Sequence, residues 1–226
     1  MYRFFSISIL FIMFLSTGCF TVNNESQEAT EEVVNTEVKN RRNILFFGNS
    51  ITAAYGIDPS LGFVNLIQQK IDTLGLNYRC INAGNSGETT TGGLERLEWV
   101  LAQPISILVL ELGANDALRG IDPELSKANL KRIILQFREA NPQGKVLLLG
   151  MKSPPSMGIE YTLKFDPIYE QLATELSLAR VPFVLQGVAG NPDLNLPDGL
   201  HPNEEGQLII ADNIWSVLSP MLKPLE

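Results

Sequence analysis

Ile44-Leu45-Phe46-Phe47-Gly48-Asn49-Ser50-Ile51 is the stretch whose reading decides the fold. Four consecutive apolar residues without alternation are the pattern of a strand buried on both faces, as in a parallel sheet. Gly48 ends the run, and residues suited to a turn follow at once. A strand covered on both faces needs helices on both sides, and the downstream sequence supplies them. Phe63, Leu66, Ile67, Ile71 and Leu74 recur at helical spacing, and Gly75 is the stop. Residues 78–81 form a second strand. Leu94, Leu97, Val100 and Leu101 mark a second helix, closed before Pro104. Residues 105–112 make the clearest strand. Asp122 caps a helix with Pro123 at its first position, ending near residues 141–142. A strand over 145–150, a helix over 165–179, a short strand over 182–185 and a helix over 203–218 complete the chain. Strand and helix alternate five times through short connections. The expectation is a three-layer α/β/α sandwich around a five-stranded parallel sheet, with functional residues at the carboxyl ends of the strands.

Working outward from that domain, assigned to residues 43–226, the first 42 residues have a different character. Residues 1–3 carry one positive charge, and residues 4–15 are apolar, too short to span a membrane and of the length of a signal h-region. Leu15-Ser16-Thr17-Gly18-Cys19 resembles the lipobox of bacterial lipoproteins. That resemblance implies a signal peptide over residues 1–18, lipidation of Cys19 and attachment to a membrane of the cell envelope, facing the periplasm or the exterior. Residues 19–42 are polar and acidic and read as a tether. Acylation of Cys19 leaves Cys80 without a disulfide partner, so Cys80 reads as a small hydrophobe in the second strand.

The whole chain has 17 basic and 25 acidic residues, net −8. Loss of residues 1–18 removes Arg3 and leaves 16 against 25, net −9. Such a surface argues against nonspecific nucleic-acid binding and against attraction to anionic headgroups. The single histidine, His201, argues against a histidine-rich metal site.

Four polar segments stand out, three of them directly after predicted strands. Gly48-Asn49-Ser50 offers a hydroxyl at the top of the sheet, although a serine there also serves as a helix cap. Residues 82–89 are glycine-rich and able to present N–H groups to an anion, without the spacing of a phosphate loop or dinucleotide fingerprint. Residues 111–120 contain Asn115, a carboxamide donor, with Asp116 and Arg119 expected to pair as a structural ion pair. Asp198-Gly199-Leu200-His201 sets a carboxylate three residues before the only imidazole, a spacing that lets one hold the other; the alternative is a histidine capping the last helix.

In this order the four segments resemble the Ser, Gly, Gly-x-Asn-Asp and Asp-x-x-His blocks of the SGNH (GDSL-type) hydrolase superfamily. Residues 111–120 and 198–203 are particularly similar to its periplasmic acyl-CoA thioesterase, lysophospholipase and arylesterase branch. The resemblance implies a flavodoxin-like fold and a serine esterase. It gives Ser50 as nucleophile, His201 as general base, Asp198 as the residue orienting it, and an oxyanion hole from Ser50, Gly87 and Asn115. It implies no cofactor and no metal. The family usually has Asp where this chain has Asn49, which leaves the surroundings of Ser50 as the point of departure. Residues 151–159, with Pro154, Pro155 and Met157, are expected to supply a stiff apolar surface that suits an acyl chain. Trp99 and Trp215 fall in predicted helices and read as core residues, so no sugar platform is evident. The expected substrates are small-molecule or lipid esters and thioesters, turned over by a monomer. A carbohydrate or peptidoglycan O-acetylesterase is the alternative within the class, and a lipid-anchored binding protein the alternative outside it.

Overall fold

The computed structural model describes residues 41–222. The signal segment, Cys19 and all but the last two residues of the tether lie outside them. Strand β1, Arg42–Gly48, lies inside the sheet, next to an edge strand. It pairs in parallel on one side with β2, Tyr78–Gly84, and on the other with β3, Ile107–Glu111. Strands β4, Lys145–Leu149, and β5, Ala179–Val181, extend the sheet beyond β3. The order is β2-β1-β3-β4-β5, all parallel. This is the expected flavodoxin-like sandwich, and the order in which strands are added reverses between β1 and β3, where such folds open a crevice for ligands.

Helices α1, Phe63–Thr73, and α7, Glu204–Leu218, pack on each other. Helix α2, Thr90–Val100, packs on α4, Pro123–Ala140, which also meets α5, Ile159–Phe165, and α6, Ile168–Leu176. Between the two helical layers, the apolar run that opens the domain is sealed: Ile44, Leu45, Phe46 and Phe47 are buried, as are Leu108–Leu110 and Leu147–Leu149. Asp122 caps α4 as anticipated, accepting from the Glu124 N–H.

Several local expectations are corrected. The helix expected over 165–179 runs over Ile168–Leu176 as α6, and an unanticipated helix, α5, precedes it, the two parted at Asp166-Pro167. Proline cannot donate the next helical bond, and the Asp166 carboxylate is engaged by the N–H and hydroxyl of Ser153. The fifth strand lies at 179–181 and not at 182–185. Pro182 has no N–H for a ladder, and the chain bends so that Gly150 donates to Val181 and accepts from Val184. A helical turn, α3, Ala114–Leu118, follows β3 where only a loop was read. Trp99 is not a core residue: it is 80% exposed, whereas Trp215 packs partly buried against the core. Cys80 lies partly buried in β2, and burial pushes its thiol well up.

Candidate active site

The chain leaves β1 through a tight turn in which Ala53 donates to the Asn49 carbonyl and Tyr55 to the Ser50 carbonyl. Gly48 makes room for this turn. A Cβ there would lie 2.1 Å from Thr52 Oγ1 and 2.6 Å from Glu111 Oε2. Those two groups meet Asn49 beneath Ser50. The Asn49 side-chain amide donates to Glu111 Oε1 at 2.7 Å, its backbone N–H to Oε2 at 3.2 Å, and the Thr52 hydroxyl to Oε2 at 2.8 Å. Asn49 Oδ1 faces upward, accepting from the Ile51 N–H at 2.9 Å with Ser50 Oγ at 3.5 Å. Asn49 and Glu111 are both buried. Burial pushes the Glu111 carboxyl up to about 7, against the opposing pull of the bonds from Thr52 and Asn49. Glu111 and Thr52 were not singled out in the sequence. The available signal was an acidic residue inside an otherwise apolar strand, opposite Gly48 in the register.

His201 arrives from the other end of the domain, on the loop before α7. Leu196 donates to the His201 carbonyl and Gly199, at φ +68°, to the Leu196 carbonyl, so residues 196–201 close into a compact turn. Asp198 Oδ1 accepts from the N–H groups of Leu200 and His201 at 2.9 and 3.0 Å. Its Oδ2 stands 2.6 Å from His201 Nδ1, and His201 Nε2 stands 2.9 Å from Ser50 Oγ. Hydrogen bonds from the His201 backbone and ring, and from Leu200, hold the Asp198 carboxyl down to about 2. The Tyr55 ring lies beside the imidazole, centroids 4.6 Å apart. Asn203, not His201, caps α7, accepting from the Gly206 N–H.

The glycine-rich loop and the segment after β3 close the third side. Gly87 takes φ +80°, and the Arg119 guanidinium donates to its carbonyl at 2.8 Å. The Asn115 amide donates to the Glu88 carbonyl at 3.0 Å, which ties α3 to that loop. Among the described residues, neither the Ser50 nor the Gly87 N–H donates to a protein acceptor. Asp116 does not pair with Arg119. It is buried, accepting from the Thr90 N–H and from the hydroxyls of Thr90 and Ser126. A desolvated carboxylate is satisfied there by neutral donors, while Arg119 stays at the surface.

Ser50, Gly87, Asn115 and His201 open into one cavity of about 780 Å³. Its apolar wall includes Leu118, Met151, Pro154, Pro155, Phe183 and Leu185. Met157 is not on that wall; its methyl group lies towards Gly120 instead. The arrangement couples a hydroxyl, an imidazole and a carboxylate in series, beside N–H and amide donors, at the mouth of an apolar pocket. Such a set can activate an oxygen nucleophile and stabilise a developing oxyanion.

A parallel α/β sandwich with this arrangement at its switch point belongs to the hydrolases acting on ester bonds, and comparison with known proteins gives the family. Residues 46–209 match the GDSL-like lipase/acylhydrolase family. The chain is 39% identical over 209 residues to esterase TesA of Pseudomonas aeruginosa, covering 92% of this chain and 98% of that protein. It is 34% identical over 181 residues to thioesterase 1/protease 1/lysophospholipase L1 of Escherichia coli, covering 79% and 84%. The crystal structure of the psychrotrophic esterase EstA from Pseudoalteromonas, inhibited by monoethylphosphonate, superposes with a TM-score of 0.75 at 32% identity, covering 80% of this chain and 98% of that one. The chain belongs to the GDSL-like lipase/acylhydrolase family and is an esterase by class.

Proposed function

We propose that this protein is a serine esterase that hydrolyses carboxylic esters and thioesters of lipid or aryl type through an acyl-enzyme. The observation that carries the reading is the continuous hydrogen-bonded series from Asp198 through His201 to Ser50, ending in an apolar cavity. His201 Nε2 takes the proton of the Ser50 hydroxyl as Oγ attacks the acyl carbonyl. Asp198, its carboxyl held down to about 2, holds Nδ1–H and stabilises the imidazolium. The N–H groups of Ser50 and Gly87 and the Asn115 amide receive the oxyanion. The imidazolium then protonates the leaving alcohol or thiol, and a water activated by His201 releases the acid. The wall of Leu118, Pro154, Pro155 and Phe183 suits an acyl chain or an aryl ring and offers few partners to a sugar. Action as a monomer is part of the proposal, and Cys19 is the proposed point of lipid attachment in the cell envelope.

Hydrolysis of p-nitrophenyl esters of graded chain length tests the assignment. Ser50→Ala and His201→Ala are expected to lose about 10⁴-fold or more in kcat. Asn115→Ala is expected to lose about 10²–10³-fold and leave a measurable remnant. Turnover at the wild-type rate in Ser50→Ala ends the proposal, and strict preference for acetylated glycans over longer acyl esters replaces the substrate class.

A further inference from the structure

We infer that Glu111 is a positioning residue for the reaction, acting on Ser50 through the side chain of Asn49. The inference rests on Ser50 being the nucleophile. Glu111 is the last residue of β3 and is 1% exposed, so its carboxyl has exchanged water for protein partners. Placing it there is unfavourable unless those partners are well made. Its donors come from the turn that carries Ser50: the Asn49 amide and N–H, and the Thr52 hydroxyl and N–H. None comes from the sheet. The carboxyl therefore grips the nucleophile turn and little else.

The grip has a direction. With Nδ2 committed downward to Oε1 at 2.7 Å, the Asn49 amide has one orientation, and Oδ1 faces the Ile51 N–H and Ser50 Oγ. Rotating the amide by half a turn would set oxygen against oxygen below and N–H against N–H above. Either charge state of Glu111 permits the observed orientation, because the rotatable Thr52 hydroxyl can donate to or accept from Oε2 while Oε1 remains an acceptor. Gly48 fits the same picture, since a side chain there would occupy the space of the Glu111 carboxyl. The Asn at position 49 is thus matched to an acceptor below it, and the match sets the height and rotation of Ser50 above it.

The test is a polarity exchange. In Glu111→Gln the new amide has one acceptor for two Asn49 donors, so whichever way it turns its nitrogen meets either the Asn49 side-chain amide or the Asn49 N–H, donor against donor. In the double variant N49D/E111Q the new amide at 111 donates to the new carboxylate at 49, and its oxygen still accepts from the N–H at 49 and from Thr52. The rate of fluorophosphonate labelling at Ser50, kcat and KM on a short p-nitrophenyl ester, and the melting temperature are measured for wild type, N49D, E111Q and the double variant. E111Q is expected to lose about tenfold to a hundredfold in kcat and in labelling rate, with KM within about twofold, as for displacement of a reacting group. The double variant is expected to regain most of that loss. A double variant no faster than E111Q, or an E111Q enzyme with wild-type kcat, overturns the inference. So does a loss that follows the melting temperature across the set and not the pairing of donors with acceptors. If E111Q does not fold, a folded double variant decides by its own kcat, near wild type or far below it. If neither folds, Thr52→Val decides, since it removes one donor from Oε2 and leaves the Asn49 pair intact: kcat close to wild type agrees with the inference, and a loss as large as that for Asn49→Ala overturns it. Wild-type protein that is not labelled at Ser50 removes the proposed nucleophile, whereas labelling that is equal in wild type and a folded E111Q removes only the role of Glu111.

Discussion

At the scale of the residue, two carboxyls near Ser50 are driven in opposite directions by their surroundings. Asp198, half in solvent, is held down to about 2 by donors from its own turn. Glu111, cut off from water, is pushed up to about 7. The second has a consequence for stability. The folded chain holds the Glu111 proton more tightly than the unfolded chain does. The stability due to this group is therefore fully present below about pH 4.5 and is lost as the pH rises through about 7. Denaturant titrations of wild type and Glu111→Gln from mildly acidic to mildly alkaline pH should show the wild type falling relative to the variant, by on the order of 3 kcal/mol across the window. A constant difference would contradict this. The sequence exposed Ser50, Asp198 and His201 because short-range spacing and uniqueness are visible in a string of letters. Asn115 was visible as a carboxamide donor after the third strand, whereas Gly87 was picked from the glycines of its loop only by likeness to known blocks. Glu111 and Thr52 stayed hidden because their meaning lies in the register between β1 and β3, which juxtaposes residues 59 or more positions apart.

At the scale of the element, β1, β3 and β4 were legible because two-sided burial writes itself as unbroken apolar runs. The boundaries were less so. Pro167 holds the start of α6 back to Ile168, past the Phe165 that the apolar spacing suggested, and Pro182 ends a strand whose apolar content continues past it. The short helix α3 has too few residues to show a period, yet it carries Asn115. Its entry depends on Gly113, which takes φ +115°, where a Cβ would lie 2.1 Å from the Tyr169 hydroxyl. That hydroxyl donates to the Leu112 carbonyl at 2.8 Å inside the core. Gly113→Ala is therefore expected to cost about 2–4 kcal/mol from backbone strain and overpacking. It should also lower kcat by displacing Asn115. Adding Tyr169→Phe should recover part of the loss of stability by relieving the clash, read from denaturation midpoints. An alanine variant as stable as the wild type would show that the turn is less constrained than its geometry indicates.

At the scale of the whole molecule, charge and attachment are separate matters. The net charge of −8 gives the chain no electrostatic reason to settle on an anionic bilayer. Attachment through Cys19, as proposed, would rest on acyl chains alone, and more than one chain is needed for a stable hold. Cells fed a labelled fatty acid should transfer label to the wild-type protein and not to Cys19→Ala. High salt should leave the wild type in the membrane fraction, while the variant should appear in the soluble one. Label retained in the variant would place the modification elsewhere.

The contact between Ser50 and His201 joins residues 151 positions apart, one just after the first strand and the other just before the last helix. A chain that stops short of residue 201 cannot make this contact. With Ser50 and His201 in their proposed roles, hydrolytic competence would begin only when the terminal segment docks, and a chain still waiting for that segment would carry an inert serine. A chain truncated before Asp198 would be silent for the same reason, so turnover in a cell extract counts finished, folded copies and disregards all others.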